Sequence, residues 1–75
     1  MNDRIEINPQ ICHGKPVIRG TRVLVSAILG ALGAGDSAED VLDDYSNITL
    51  EDIQAAIAFG GELSRFEEGP YEAAS

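Results

Sequence analysis

The sequence predicts a mainly α-helical domain, in which three helices with a helix-turn-helix follow a short N-terminal strand and β-hairpin. Three observations lead to this prediction: β-branched, alternating runs before residue 25, an apolar spacing of three and four residues after it, and two helix caps. A chain of 75 residues buries only about 60% of the surface that its unfolded form exposes. We therefore expect one domain, 1–66, and a homodimer.

The N-terminal part has the pattern of β structure. Ile5-Glu6-Ile7 alternates apolar and polar residues, as in a half-buried strand. Two β-branched runs, 17–19 and 22–25, are separated by Gly20-Thr21, and glycine at the first central position is typical of a type II′ hairpin turn. Such a hairpin places Arg19 and Arg22 on either side of its tip.

The middle of the chain predicts two short helices. Apolar residues spaced three and four apart predict the first over 26–34, ended by Gly33 and Gly35. Ser37 stands three residues before Asp40, which resembles a capping box, and predicts the second helix over 38–45. Both helices are too short to be stable without packing on other elements.

The third helix is predicted to begin after Thr49, which can cap it, with Glu51 and Asp52 favoured by the helix dipole in its first turn. Two capped helices joined by a short turn form a helix-turn-helix candidate. Residues 67–75 have the composition of a loop and are expected to form a flexible acidic tail.

Two apolar stripes on the third helix suggest two contact surfaces. At 100° per residue one side holds Ile53, Ala56, Ile57 and Gly60, which we expect to face the other helices. An adjacent side holds Phe59, Leu63 and Phe66. This second stripe either widens the core or forms a dimer or partner surface, and we favour the surface. Alternatively, Gly60-Gly61 ends the helix and leaves a flexible arm.

Charge is divided unevenly along the chain. Residues 1–22 contain four cations and two acids, a net charge of +2, whereas residues 23–75 contain Arg65 and eleven acids, a net charge of −10. This division suggests two surfaces for different partners. Lys15, Arg19 and Arg22 are candidate DNA contacts, and the alternative is that they form ion pairs with the acids of the helices.

Catalytic, metal and membrane functions find little support in the sequence. Cys12-His13 is the only thiol and imidazole pair, and no second cysteine or histidine completes a zinc site. No Ser-His-Asp set surrounds the single histidine. We expect no enzymatic activity and no cofactor. A lone cysteine, together with the absence of an apolar run of roughly 18 residues, predicts a cytoplasmic protein that does not enter membranes.

A family resemblance is carried by Gly14-Lys15-Pro16 and Gly20-Thr21-Arg22, followed at the expected intervals by 34–35, 41–45 and 50–56. From about residue 5 to 59 the chain resembles the family catalogued as domain of unknown function 433. The resemblance implies a homeodomain-like helix-turn-helix and an antitoxin of the VapB type, often encoded beside a PIN-like ribonuclease. Leu24 and Ser46 stand where many members have proline, a departure that concerns the shape of two loops.

Electrostatics favour a protein partner over DNA for the helical part. The early outward positions of the third helix are expected to be Glu51, Asp52, Gln54 and Ala55, and residues 23–64 contain no Lys or Arg, so this surface should repel a duplex. Gln54 is the one candidate for reading a base.

We expect the acidic helices to occlude the basic rim of a PIN-like ribonuclease toxin. Phe59, Leu63 and Phe66 would supply the apolar contact, and Arg65 would reach the carboxylates of the nuclease site. Operator DNA binding by the basic segment is a secondary role. The alternatives are a stand-alone DNA-binding transcriptional regulator and a structural adaptor with no nucleic-acid role.

Overall fold

The structure is a computed structural model that describes the backbone of residues 2–74 and the side chains of residues 2–65. Its elements in chain order are β1 (Ile5–Glu6), a 3₁₀ turn (Cys12–Gly14), β2 (Val17–Ile18), α1 (Val25–Gly33), α2 (Ala38–Asp44) and α3 (Leu50–Ala74). The predicted class, mainly helical with three helices after a short β part, is confirmed.

The β part is arranged differently from the predicted hairpin. β1 pairs with β2 in antiparallel register, with Ile5 opposite Ile18. The N–H of Thr21 donates to the carbonyl oxygen of Ile18 at 3.0 Å, and Gly20 has φ +79° at the third position of this turn. Positive φ at the third position defines a type II turn, so the expected type II′ turn at Gly20-Thr21 was wrong.

The second predicted strand is reduced to one bridge, between Val17 and Leu24. The next residue, Val25, already begins α1 and is buried with Ile28 in the core. Since these side chains are three residues apart, burying both requires the helical rather than the extended repeat.

The ends of α1 and α2 follow the sequence signals closely. After α1 the N–H of Asp36 donates to the carbonyl oxygen of Ala31 at 3.0 Å and the N–H of Gly35 to that of Leu32 at 3.1 Å. With Gly35 at φ +105°, this is a Schellman motif. The hydroxyl of Ser37 accepts from the N–H of Asp40 at 3.1 Å, and the Asp40 carboxylate accepts from the N–H of Ser37 at 3.0 Å. The predicted capping box is confirmed.

The third helix begins as predicted and runs further than one alternative allowed. Thr49 caps α3, and the helix continues through Gly60 and Gly61, so the alternative that these glycines end it was wrong. The predicted boundary between a domain at 1–66 and a tail at 67–75 falls inside α3. The side chains from Phe66 onward lie outside the described residues.

One apolar core joins the β part to all three helices. Its buried members are Ile5, Ile18, Val23, Val25, Ile28, Val41, Ile48, Ile53, Ala55, Ala56 and Phe59. α1 and α3 meet closely at Gly60, where an added Cβ would lie 3.0 Å from Cδ1 of Leu29. The core therefore fixes which face of α3 is covered.

The 3₁₀ turn contains two residues other than glycine in the left-handed region, since Cys12 has φ +50° and His13 has φ +58°. The left-handed conformation costs an L-residue about 1–2 kcal/mol, and His13 is exposed. Replacing His13 with glycine should therefore raise the free energy of unfolding by about 0.5–1 kcal/mol, after the larger chain entropy of unfolded glycine is subtracted. Urea denaturation measures this change.

The matched control for this turn is Gly14→Ala, because Gly14 has φ +81°. It should destabilise the domain by a similar amount. If both variants change the free energy of unfolding in the same direction, the left-handed backbone conformation does not explain the changes.

Candidate binding surfaces

The basic segment, Lys15 to Arg22, lies on the exposed turns that flank β2. Lys15 follows the 3₁₀ turn, Arg19 is the second residue of the type II turn, and Arg22 comes after it. All three residues are exposed. The two turns therefore place Lys15 before β2 and Arg19 and Arg22 after it.

Arg19 is attached to its own chain through carbonyl groups. Its Nε donates to the carbonyl oxygen of Asp3 at 2.6 Å, and its Nη2 donates to that of Ile5 at 3.3 Å. The backbone N–H of Arg19 also donates to the carbonyl oxygen of Arg4 at 2.8 Å. The alternative in which Arg19 pairs with a carboxylate was wrong. Arg19 secures β1 to the turn. Its acceptors are neutral carbonyl groups, so they do not balance its positive charge.

The side chains of Lys15 and Arg22, unlike that of Arg19, are not attached to their own chain in the described residues. Within the described part of the chain, neither side chain takes part in a hydrogen bond or an ion pair. Their ammonium and guanidinium groups are therefore available to an anionic partner. They are better candidates for phosphate contact than Arg19, whose side chain already has two intrachain acceptors.

An open cleft of about 480 Å³ lies beside Arg22. It is lined by Glu6, Ile11, Gly20, Thr21, Arg22 and Asn47. No buried side-chain nitrogen or oxygen in the described residues lacks a hydrogen-bond partner. The cleft thus offers a mixed polar wall without a buried group that waits for a ligand.

Asp52 is the polar residue that sequence reasoning placed wrongly, since it was expected to point outward. It is 8% exposed. One carboxylate oxygen accepts from Nη1 of Arg4 at 3.0 Å, and the other accepts from the N–H of Thr49 at 2.9 Å. The spacing of Thr49 and Asp52 repeats that of Ser37 and Asp40, so the cap was visible in the sequence. The contact with Arg4, 48 residues away, had no local signal.

The outward acids of the helices form an acidic surface. Seven carboxylates on the α1–α2 connection, α2 and α3 are exposed: Asp36, Glu39, Asp40, Asp43, Asp44, Glu51 and Glu62. Arg65, also exposed, is the only cation among residues 23–65. The charged side chains that this helical part exposes are therefore negative, except for Arg65.

The apolar stripes of α3 are distributed differently from the prediction. Phe59 is only 8% exposed and belongs to the core, so its own chain already covers the ring that was predicted to bind a partner. Ile57, expected in the core, is 51% exposed. At 100° per residue Phe59 lies between the buried Ala55 and Ala56, whereas Ile57 lies outside the arc that the buried residues of α3 span.

Two of the remaining candidates on α3, Leu63 and Gln54, are exposed. Leu63 is 52% exposed, and Gln54 is exposed beside Glu51. Ala55, expected on the outside, is buried. The side chain of Phe66 lies outside the described residues. Sequence reasoning also missed Leu50, which is 46% exposed.

Among residues with described positions, no three His, Cys, Asp or Glu side chains come together in a way that would hold a metal ion. Over the same residues, no helix combines the length and the apolar character needed to cross a bilayer.

Comparisons with known proteins place these features in a family. Residues 5–60 match the family described as "Protein of unknown function (DUF433)". The uncharacterized protein y4eO of Sinorhizobium fredii is 39% identical over 49 residues, which are 65% of this chain and 22% of that protein. The crystal structure of a DUF433 member protein from Anabaena variabilis superposes with a TM-score of 0.71 at 29% identity, covering 92% of this chain and 62% of that one.

This chain thus spans about a fifth of the Sinorhizobium protein and less than two thirds of the Anabaena protein. The family match covers most of the chain, from β1 into α3, and includes both basic turns and all the buried residues of the core. The chain belongs to the DUF433 family.

Proposed function

We propose that this chain is an antitoxin-like regulator of the VapB type that binds and neutralises a PIN-like ribonuclease. The observation that supports this proposal most is the acidic surface. The ion pair found among the side chains of residues 2–65 joins Arg4 to Asp52, so the seven exposed carboxylates keep their charge for a partner. A ribonuclease binds a polyanion and needs a basic rim, to which this surface is complementary.

Apolar contact in such a complex would come from the far part of α3. Leu63 points in the same direction as the buried Ala56 but lies beyond the core and is half-exposed. A half-exposed leucine next to Glu62 supplies the combination of apolar centre and charged edge that protein interfaces use. Phe59 has no place in this interface, because it is buried in its own domain.

DNA binding is the secondary role in this proposal. We interpret α2 and α3 as a homeodomain-like helix-turn-helix, in which α3 would be the recognition helix. Its first turn, however, exposes Glu51, which repels phosphates, and leaves Gln54 as the single base-reading candidate. Any operator contact would therefore depend on Lys15 and Arg22, the two cations of the basic segment whose side chains have no partner among the described residues.

The experiment uses the protein encoded beside the gene of this chain, which the proposal expects to be a PIN-like ribonuclease. Purified together, the two proteins should form a complex, and RNA cleavage by the nuclease should fall as this chain is added. The double variant Asp43→Lys/Asp44→Lys should weaken the complex about tenfold or more, because it places like charges against the basic rim. Added salt should also weaken the wild-type complex, because it screens the attraction between the acidic surface and the basic rim.

The choice of Asp43 and Asp44 separates binding from folding. Both residues lie at the C-terminal end of α2, where the helix dipole favours cations, so lysine there should not destabilise the domain. The matched control is Lys15→Ala/Arg22→Ala, which should bind the nuclease as wild type does. Failure of the wild-type chain to bind or inhibit the nuclease would refute the antitoxin proposal. A mobility shift of upstream DNA by this chain alone would favour the transcriptional regulator.

A further inference from the structure

The outer face of α3 carries a line of residues that the core does not use. We call Leu50, Gln54, Ile57 and Gly61 the α3 stripe. Their spacing of four, three and four residues is that of a coiled-coil seam, and all four are exposed. Leu50 and Ile57 are 46% and 51% exposed, so two large aliphatic side chains stand on one helix face without cover from the described residues.

Gly61 has no function within its own chain that the structure reveals. A Cβ added at Gly61 would meet nothing within 4 Å, in contrast to Gly60, which leaves room for Leu29. Glycine inside a helix is less favourable than alanine. A glycine on an apolar stripe lets a second helix approach closely, so its position is explained by an external helix.

The flank of the α3 stripe identifies that helix. Glu51, Ala58 and Arg65 follow one another at intervals of seven residues along one edge of the stripe, and all three are exposed. Suppose that a second copy of α3 lies antiparallel, with the twofold axis beside Ala58. Ala58 then meets Ala58 of the other copy, and Glu51 meets Arg65 of the other copy. Both ion pairs form at once by symmetry.

We propose that the α3 stripe is the homodimer interface and that two copies pair through it in antiparallel orientation. In this register Ile57 of each copy packs between Ile57 and Gly61 of the other, and a Glu51–Arg65 pair closes each end of the seam. The interface uses a face of α3 different from the one that packs on α1 and α2. It is independent of the ribonuclease proposal, since it needs only this chain.

Sedimentation of the purified full chain provides the first test. The expected mass is twice 8.0 kDa at concentrations where the variant Ile57→Glu sediments as a monomer. Two buried glutamates near the twofold axis should weaken the dimer about a hundredfold or more. Leu63→Glu is the matched control, because Leu63 is equally exposed on the same helix but lies off the stripe. It should dimerise normally.

Charge reversal tests the antiparallel orientation. Arg65→Glu and Glu51→Arg each replace both end pairs by like charges and should weaken the dimer about tenfold. The double variant restores opposite charges only in the antiparallel arrangement and should return the dissociation constant to near the wild-type value. All of these residues are exposed, and circular dichroism checks that each variant folds.

The results that overturn the proposal are distinct. A wild-type chain that stays monomeric up to about millimolar concentration rules out the interface. A dimer that is unaffected by Ile57→Glu, or weakened equally by Leu63→Glu, uses another surface. A dimer that Ile57→Glu weakens, but that shows no rescue in the double charge variant, is not antiparallel.

Discussion

Replacement of Phe59 by alanine should lower the free energy of unfolding by about 3–5 kcal/mol, the range for a buried aromatic side chain. The ring is 8% exposed within the core that joins β1 to the three helices. A domain of 75 residues has a total stability of about 4–11 kcal/mol. The expected loss is a large fraction of this total, and urea denaturation followed by circular dichroism measures it.

Leu63→Ala is the control for Phe59. It lies four residues further along α3 and is 52% exposed, so its removal should change stability by less than about 0.5 kcal/mol. Equal stability of the two variants would show that the ring of Phe59 does not belong to the core. Any change in self-association must be measured separately, at protein concentrations that keep both variants monomeric.

Replacement of Asp52 by alanine should cost about 2–3 kcal/mol. The substitution removes the side-chain acceptor for the N–H of Thr49 and the partner of Arg4 in a nearly buried position. Loss of a cap costs about 1 kcal/mol, and loss of a charged hydrogen bond adds about 1–2 kcal/mol. Thermal unfolding in low salt measures the effect.

Asp40→Ala provides a comparison within the same chain. Asp40 forms the same capping box with Ser37 on α2, but it is exposed and has no cationic partner among the described residues. Its removal should cost about 1 kcal/mol. The difference between the two losses in unfolding free energy measures the stabilisation that the Arg4 ion pair and the burial of Asp52 add. If Asp52→Ala costs no more than Asp40→Ala, the long-range ion pair does not stabilise the fold.

Helix ends were predictable because they depend on neighbouring residues. The capping box at Ser37, the cap at Thr49 and the glycine at 35 act over fewer than six residues, and all three are present. Charge division along the chain was equally evident, since it needs only the order of the residues.

Side-chain partners over long distances were not predictable in the same way. Arg19 was a candidate for DNA contact, with carboxylates as the alternative partners, and its side chain donates to two carbonyl oxygens of the N-terminal segment. Asp52 was placed on the outside and is buried against Arg4. Both arrangements follow from the pairing of β1 with β2, which brings residues 3–6 beside the turn and beside α3.

The sequence by itself therefore determined the helical class, the helix ends and the separation of a basic N-terminal segment from acidic helices, since these depend on local order and composition. Only the tertiary structure decided that Phe59 is buried and Ile57 exposed. α3 carries apolar residues around most of its circumference, so helical periodicity defines its faces without selecting one. The selection was made by β1, α1 and α2, which pack together on one side of α3 and leave the α3 stripe outside the core.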